Sequence, residues 1–201
     1  MAENPLRDRN GLTEEEFLAA YDASRFERPS VTVDVIIIHD QSVLLIRRGG
    51  HPFLGKLALP GGFLEPDEDA YTAAARELFE ETGIEAKDLR MLRPATKPGR
   101  DPRTRIVTIP FTARLKGDHS LAKAGDDAAE ACWFGYSVKK EGDTLLLEFT
   151  PKNRAGEKSF SFRVKKTFDP SGRIADPIYV MTGESPLAGD HAELIAMALD
   201  V

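Results

Sequence analysis

Only one cysteine, at position 132, occurs among the 201 residues. A lone thiol excludes an intrachain disulfide framework and any multi-cysteine metal centre, and it fits a reducing compartment. Its setting, Ala131-Cys132-Trp133-Phe134, reads as a small buried hydrophobe rather than a nucleophile. Long apolar runs are missing too. The most compact, Val35-Ile36-Ile37-Ile38, is far too short to span a bilayer, and Met1-Ala2-Glu3-Asn4-Pro5 lacks the basic-then-apolar order of a secretory leader. The expectation is a cytoplasmic protein without a membrane partner. There is no excess of positive charge: 27 Lys and Arg face 33 Asp and Glu, a net charge of −6, which disfavours coating a nucleic-acid backbone but leaves room for a local anion site. Repeats and low-complexity tracts are absent as well, which excludes solenoids and linker-rich chains.

What is present suffices for one folded unit. Hydrophobic residues make up 41% of the chain and its length matches a single domain, 1–201, carrying extra segments. Thr13 and Glu16 form a capping-box pair ahead of Phe17, Leu18 and Tyr21, which predicts a short helix from 13 to about 24 within an N-terminal extension, 1–28. Val31, Val33, Val35 and Ile37 alternate along one strand, and Val43-Leu44-Leu45-Ile46 returns after His39-Asp40-Gln41, a hairpin pattern. Leu57-Ala58-Leu59 is a short strand that runs into Pro60-Gly61-Gly62, and residues 67–81 turn alanine-rich and helical. Strands are also expected around 105–111 and 130–136. Leu145–Phe149 and Phe160–Val164 are strand-like runs inside a segment, 137–186, read as an inserted β-hairpin. His191 to Val201 carries Leu194, Ile195, Ala198 and Leu199 at helical spacing, a closing helix.

On the alanine-rich helix, Glu77, Glu80 and Glu81 stand at i, i+3 and i+4 and share a face, while Tyr71, Ala75, Leu78 and Phe79 are read as its buried stripe. Like charges at this spacing repel and call for a cation. Taken alone, the three glutamates suit a solvated acidic face partly neutralised by Arg76 pairing with Glu80. Gly61-Gly62 before the helix permits close backbone approach to a metal or phosphate, and Gly83 after it suits a helix C-cap. Hard divalent ions with oxygen ligands, Mg²⁺ or Mn²⁺, are the cations such acids favour.

Gly62, Glu68 and Arg76-Glu77-Leu78-Phe79-Glu80-Glu81-Thr82-Gly83-Ile84 resemble a complete Nudix box. The resemblance implies an α/β/α sandwich around a mixed sheet and metal-dependent hydrolysis of a nucleoside diphosphate derivative. It assigns metal binding by more than one ion to Glu77, Glu80 and Glu81 with the Gly62 carbonyl, an orienting role to Arg76, and structural roles to Glu68 and Gly83. The flanks Arg28-Pro29-Ser30-Val31-Thr32-Val33-Asp34, Pro98-Gly99-Arg100-Asp101-Pro102-Arg103 and Gly125-Asp126-Asp127-Ala128-Ala129-Glu130-Ala131 look like the ADP-ribose pyrophosphatase branch, which releases AMP and ribose 5-phosphate. In that reading Arg100, Asp101 and Arg103 face the substrate, with the two arginines able to fork onto phosphate or ribose oxygens, and Phe53 is a candidate to stack on adenine. Asp126, Asp127 and Glu130 are the candidates for the general base. His51 and His191 are read as structural. The likeness covers 28–136 and again 187 onward. It departs at the 137–186 segment and at Gly189-Asp190-His191, where an aromatic is expected before Asp-His. The alternatives kept open are hydrolysis of another nucleotide sugar, a dinucleoside polyphosphate or a modified nucleoside triphosphate, and a non-catalytic sensor of NAD metabolites, against which the acidic charge balance weighs. A homodimer is what the family implies.

Overall fold

The structure is a computed structural model, and it describes residues 6–115, 131–153 and 156–200. Helix α1 spans Glu14–Ala20 and closes its capping box: the Glu16 N–H donates to Thr13 Oγ1 at 3.2 Å and the Thr13 N–H to Glu16 Oε2 at 2.8 Å. It buries no residue. A 3₁₀ turn follows at Ala23–Arg25. Strands β1 (Ser30–His39) and β2 (Ser42–Arg47) form the expected hairpin across Asp40 and Gln41, both at positive φ. Then come β3 (Leu57–Ala58), β4 (Gly61–Phe63), α2 (Ala70–Thr82), β5 (Arg90–Met91), β6 (Ile106–Arg114), β7 (Cys132–Glu141), β8 (Thr144–Pro151), β9 (Phe160–Thr167), β10 (Ile178–Thr182) and α3 (His191–Leu199).

The strands make one mixed sheet in the order β10-β9-β8-β7-β2-β1-β6-β5, with β3 on β2 and β4 on β1. β1 and β6 run parallel from Ser30 beside Ile106 to Ile38 beside Arg114, and the remaining strand pairs are antiparallel. A strand at the centre is covered on both sides, which is why β1 is almost uninterrupted hydrophobe. Its side chains alternate between two cores. Val33, Val35 and Ile37 pack with Leu78, Ala73 and Ala74 of α2, and with Phe111 and Trp133. Ile36 and Ile38 pack on the opposite side with Ala192, Ile195, Ala196 and Leu199 of α3. A helix on each face of the mixed sheet makes the α/β/α arrangement.

The 137–186 segment does pair Leu145 with Val164 and Phe149 with Phe160 as a hairpin, but it does more. β7 continues through it to Glu141, and β10 adds a further strand, so the segment widens the main sheet. Phe149, Phe160 and Phe162 stack there with ring centroids 4.9–6.5 Å apart, and Phe134 lies tilted against Phe160 at 5.3 Å. Cys132 is wholly buried in the same core.

On α2 the expected stripe is corrected. Leu78 is buried, but Tyr71 and Phe79 are about half exposed, and the interior face belongs to Ala73, Ala74, Leu78 and Thr82. Alanines at the interface let the helix lie close to β1, so the larger rings at its flanks remain outside; Tyr71 leans edge-on against Phe111 at 4.9 Å.

Candidate active site

A cleft of about 270 Å³ opens where β1, β4, the end of α2, the β2–β3 loop, the 98–105 loop and the start of α3 meet. Its centre is built by backbone proximity. Asp34 on β1 pairs with Gly61 on β4, and Val33 with Gly62. A Cβ at Gly61 would overlap the Val33 carbonyl, so the strand pairing requires glycine there, and one at Gly62 would overlap the Glu77 carboxylate, which could stay in place only beside a glycine. Asp69 caps α2 through the Thr72 N–H at 2.8 Å. Gly83, at φ 67°, ends the helix with its N–H on the Phe79 carbonyl.

Arg76 organises the acidic face. Glu68 receives two of its N–H groups, at 2.6 and 3.1 Å; Glu77 and Glu80 accept from its Nη1 at 2.9 and 3.1 Å, and its Nη2 also reaches the Phe63 carbonyl. Glu80 is the most exposed of these acids. Burial holds Glu77 above the ordinary carboxylate range in spite of Arg76.

Glu81 is different. Its Oε2 accepts the Gly61 N–H at 2.9 Å, and no cationic side chain among the described residues comes within ion-pair distance of it. Burial above all, aided by the charges of Glu77 and Asp34, pushes its carboxyl up to about 7. A largely buried carboxylate with one hydrogen bond and two acidic neighbours is a site that gains from a cation. The donors are all oxygen, the set a hard divalent ion prefers. With Arg76 holding Glu77 and Glu80, no three acids among the described residues are gathered as a ready-made metal cage.

The opposite wall is a second charge network. Asp34 is 7% exposed, accepts from Thr108 Oγ1 at 2.6 Å, and lies 3.9 Å from Arg100 and 3.6 Å from His191 Nε2. Arg100 grips Asp190 with two bonds of 2.7 and 2.8 Å. Asp190 occupies the N-cap of α3 yet makes no side-chain cap bond, because its carboxylate is committed to Arg100. His191 Nδ1 accepts the Leu59 N–H at 2.8 Å, which places the ring's proton on Nε2, toward Asp34.

All four substrate-facing candidates line this cleft. Arg100 and Arg103, however, are not open forks: Arg103 is closed on Asp101 by bonds of 2.9 and 3.0 Å, and its guanidinium lies 5.2 Å from the ring centre of Phe63. Phe53 sits beside Gly189, its Cε2 3.7 Å from where a Cβ would be, so its ring borders the place where an aromatic side chain was expected. Asp126, Asp127 and Glu130 lie outside the described residues. Sequence reasoning missed Asp34, Asp190 and Arg48 as cleft residues, and the buried Thr108 that supports Asp34, and read His191 as structural. A lone carboxylate within an apolar central strand was the available signal for Asp34.

A NUDIX domain model matches residues 28–151. An ADP-ribose pyrophosphatase from Methanocaldococcus jannaschii is 45% identical over 106 residues, 53% of this chain and 62% of the relative, so the chain spans less than two thirds of that protein's length. Among solved structures, a MutT/nudix family protein from Enterococcus faecalis superposes with a TM-score of 0.68 at 30% identity, covering 94% of this chain and 69% of that one. The NUDIX domain of Shewanella oneidensis NrtR, crystallised with ADP ribose, gives 0.53 at 33% identity, covering 61% and 82%. The family match takes in the β1–β4 ladder, α2 and the cleft residues from Thr32 to Arg103, and on that basis the chain belongs to the NUDIX domain family.

Proposed function

We propose that the protein hydrolyses the phosphoanhydride bond of a nucleoside diphosphate derivative, ADP-ribose foremost, giving AMP and ribose 5-phosphate. The observation that carries this is Glu81: a cleft carboxylate, mostly buried and without a cationic partner among the described residues, beside Glu77 and Asp34. In this reading Glu77, Glu80 and Glu81, with the Gly62 carbonyl, hold Mg²⁺ or Mn²⁺, more than one ion. Bound ions offset the charge of the phosphoryl oxygens and lower the pKa of a water. The chain's own part is positional. Glu68 fixes Arg76, and Arg76 sets the side chains of Glu77 and Glu80 at the helix face. Asp190 and Arg100 brace the far wall, with Asp101 and Arg103 beside them, and Phe53 offers an apolar surface for a base. Asp126, Asp127 and Glu130 remain the candidates for the base that takes the water's proton.

The ADP-ribose choice is supported by the 45% identity to a protein named for that activity and by the likeness to a NUDIX domain that holds ADP ribose. The second of these also supports a sensor reading, binding without turnover. A panel of ADP-ribose, other nucleotide sugars, dinucleoside polyphosphates and modified nucleoside triphosphates, assayed with Mg²⁺, Mn²⁺ or chelator, decides. AMP release from ADP-ribose that stops with chelator is expected. Tight ADP-ribose binding with no product under any metal favours the sensor, and preferential cleavage of another compound moves the substrate. The same reading carries a homodimer, which sedimentation at micromolar concentration checks.

A further inference from the structure

Three arginines line the cleft, and their partners differ. Arg100 is 6% exposed and doubly bonded to Asp190; Arg103 is doubly bonded to Asp101. Each has its charge answered by a carboxylate. Arg48 uses only Nε, which donates to the Pro52 carbonyl at 2.8 Å, and among the described residues no carboxylate stands within ion-pair distance of it. The loop that carries it is closed by three backbone bonds, Arg48 N–H to Lys56, Gly55 N–H to Arg48 and Lys56 N–H to Phe53, at 2.8–3.0 Å. The guanidinium therefore has a fixed root, one tethered nitrogen and, among the described residues, two terminal amines left over. A partly buried guanidinium in that state has donors free for a charge-assisted bond to an anion. Its charge is also felt at Glu81, across the cleft.

We propose that Arg48 binds a non-bridging phosphoryl oxygen of the ligand, as the cleft's open phosphate fork, while Arg100 and Arg103 serve as braces. This rests on the reading of the cleft as a site for a nucleoside phosphate. The placement sets an anionic group between the Arg48 guanidinium and the acidic face of α2. Lysine at 48 keeps a charge but cannot hold Pro52 and fork onto phosphate together.

The test is calorimetric titration of the full chain with AMP and with adenosine, which differ by the phosphate alone, on wild type, Arg48→Gln and Arg48→Lys, with thermal melts alongside. Wild type is expected to prefer AMP by about 10- to 100-fold, as for a charge-assisted contact. Arg48→Gln is expected to lose that preference while keeping its adenosine affinity, and Arg48→Lys to retain part of it. A merely structural Arg48 would weaken both ligands together. Arg48→Gln with the wild-type preference, or with equal loss of both ligands, overturns the assignment and leaves the proposed function standing. Wild type that binds neither AMP nor ADP-ribose, the latter titrated in parallel, overturns both.

Discussion

At the residue scale, the two adjacent glycines before α2 make separable demands. A Cβ at Gly61 meets backbone, the Val33 carbonyl, and the residue sits at φ 155°, so nothing nearby can yield cheaply. At Gly62 the obstacle is the far end of the Glu77 side chain, which can swing away. Gly61→Ala is therefore expected to cost about 1–3 kcal/mol in denaturant unfolding. Gly62→Ala should hold its midpoint to within about 0.5 kcal/mol and lose turnover through a displaced Glu77. Equal destabilisation by the two substitutions would contradict this division. The same scale shows what a one-dimensional reading misses. The i, i+3, i+4 spacing places three glutamates on one face, but the ladder that sets Asp34 against Gly61 is a pairing across 27 residues of chain, and the Arg48 loop reaches the cleft only through the fold. No periodicity reports them. Arg100 and Arg103 were visible as arginines in a turn-rich loop; that carboxylates already engage both is a fact of three dimensions.

At the scale of elements, α3 is pinned at both ends. Asp190 at its start is held by Arg100, and Asp200 just past its end accepts from Lys166 of β9 at 2.6 Å and the Tyr179 hydroxyl of β10 at 2.8 Å, with Lys140 of β7 at 3.0 Å. The Asp200 side chain is 1% exposed. Burial alone would raise its pKa, but these three donors overcome it and hold the carboxyl at about 2. A folded pKa below the ordinary value means stability present above about pH 4 and lost as pH falls toward 2, about 2 kcal/mol in all. Asp200→Asn should flatten that window when unfolding free energy is measured from pH 5 to 2; an unchanged slope would show that the knot does not couple to folding. Elements with strong local signals were legible: the Thr13/Glu16 box, the β1–β2 alternation, and the glycine that ends α2. The outward rings of α2 were misread because helical spacing says which residues share a face and not which face the sheet covers. The role of 137–186 was only half legible. Strand-like runs revealed β8 and β9, but whether they stand apart or extend β7 depends on an edge that the local pattern does not describe.

Across the whole molecule, one core ties the family-matched region, β8 included, to the strands beyond it. Ile36, Leu45, Phe134 and Leu147 share a cluster with Phe162, Val164 and Tyr179, and α3 packs on both sets. Calorimetry and near- and far-ultraviolet dichroism are accordingly expected to show one coincident unfolding transition, whereas two resolved transitions would mark β8–β10 as a separate unit. This continuous core holds α3 against the sheet, and with it the Asp190–Arg100 wall opposite Glu81. Part of the acidic balance of the sequence sits on the α2 face and at Asp34, which under the proposed function is where a metal-bound anion would be received. The most direct measurement of that account is product formation from ADP-ribose with Mg²⁺ by wild type and Glu81→Gln at matched folding. The prediction is equimolar AMP and ribose 5-phosphate from wild type, at least ~10²-fold slower release from Glu81→Gln, and no loss of melting temperature in the variant. Turnover by Glu81→Gln within threefold of wild type would contradict it.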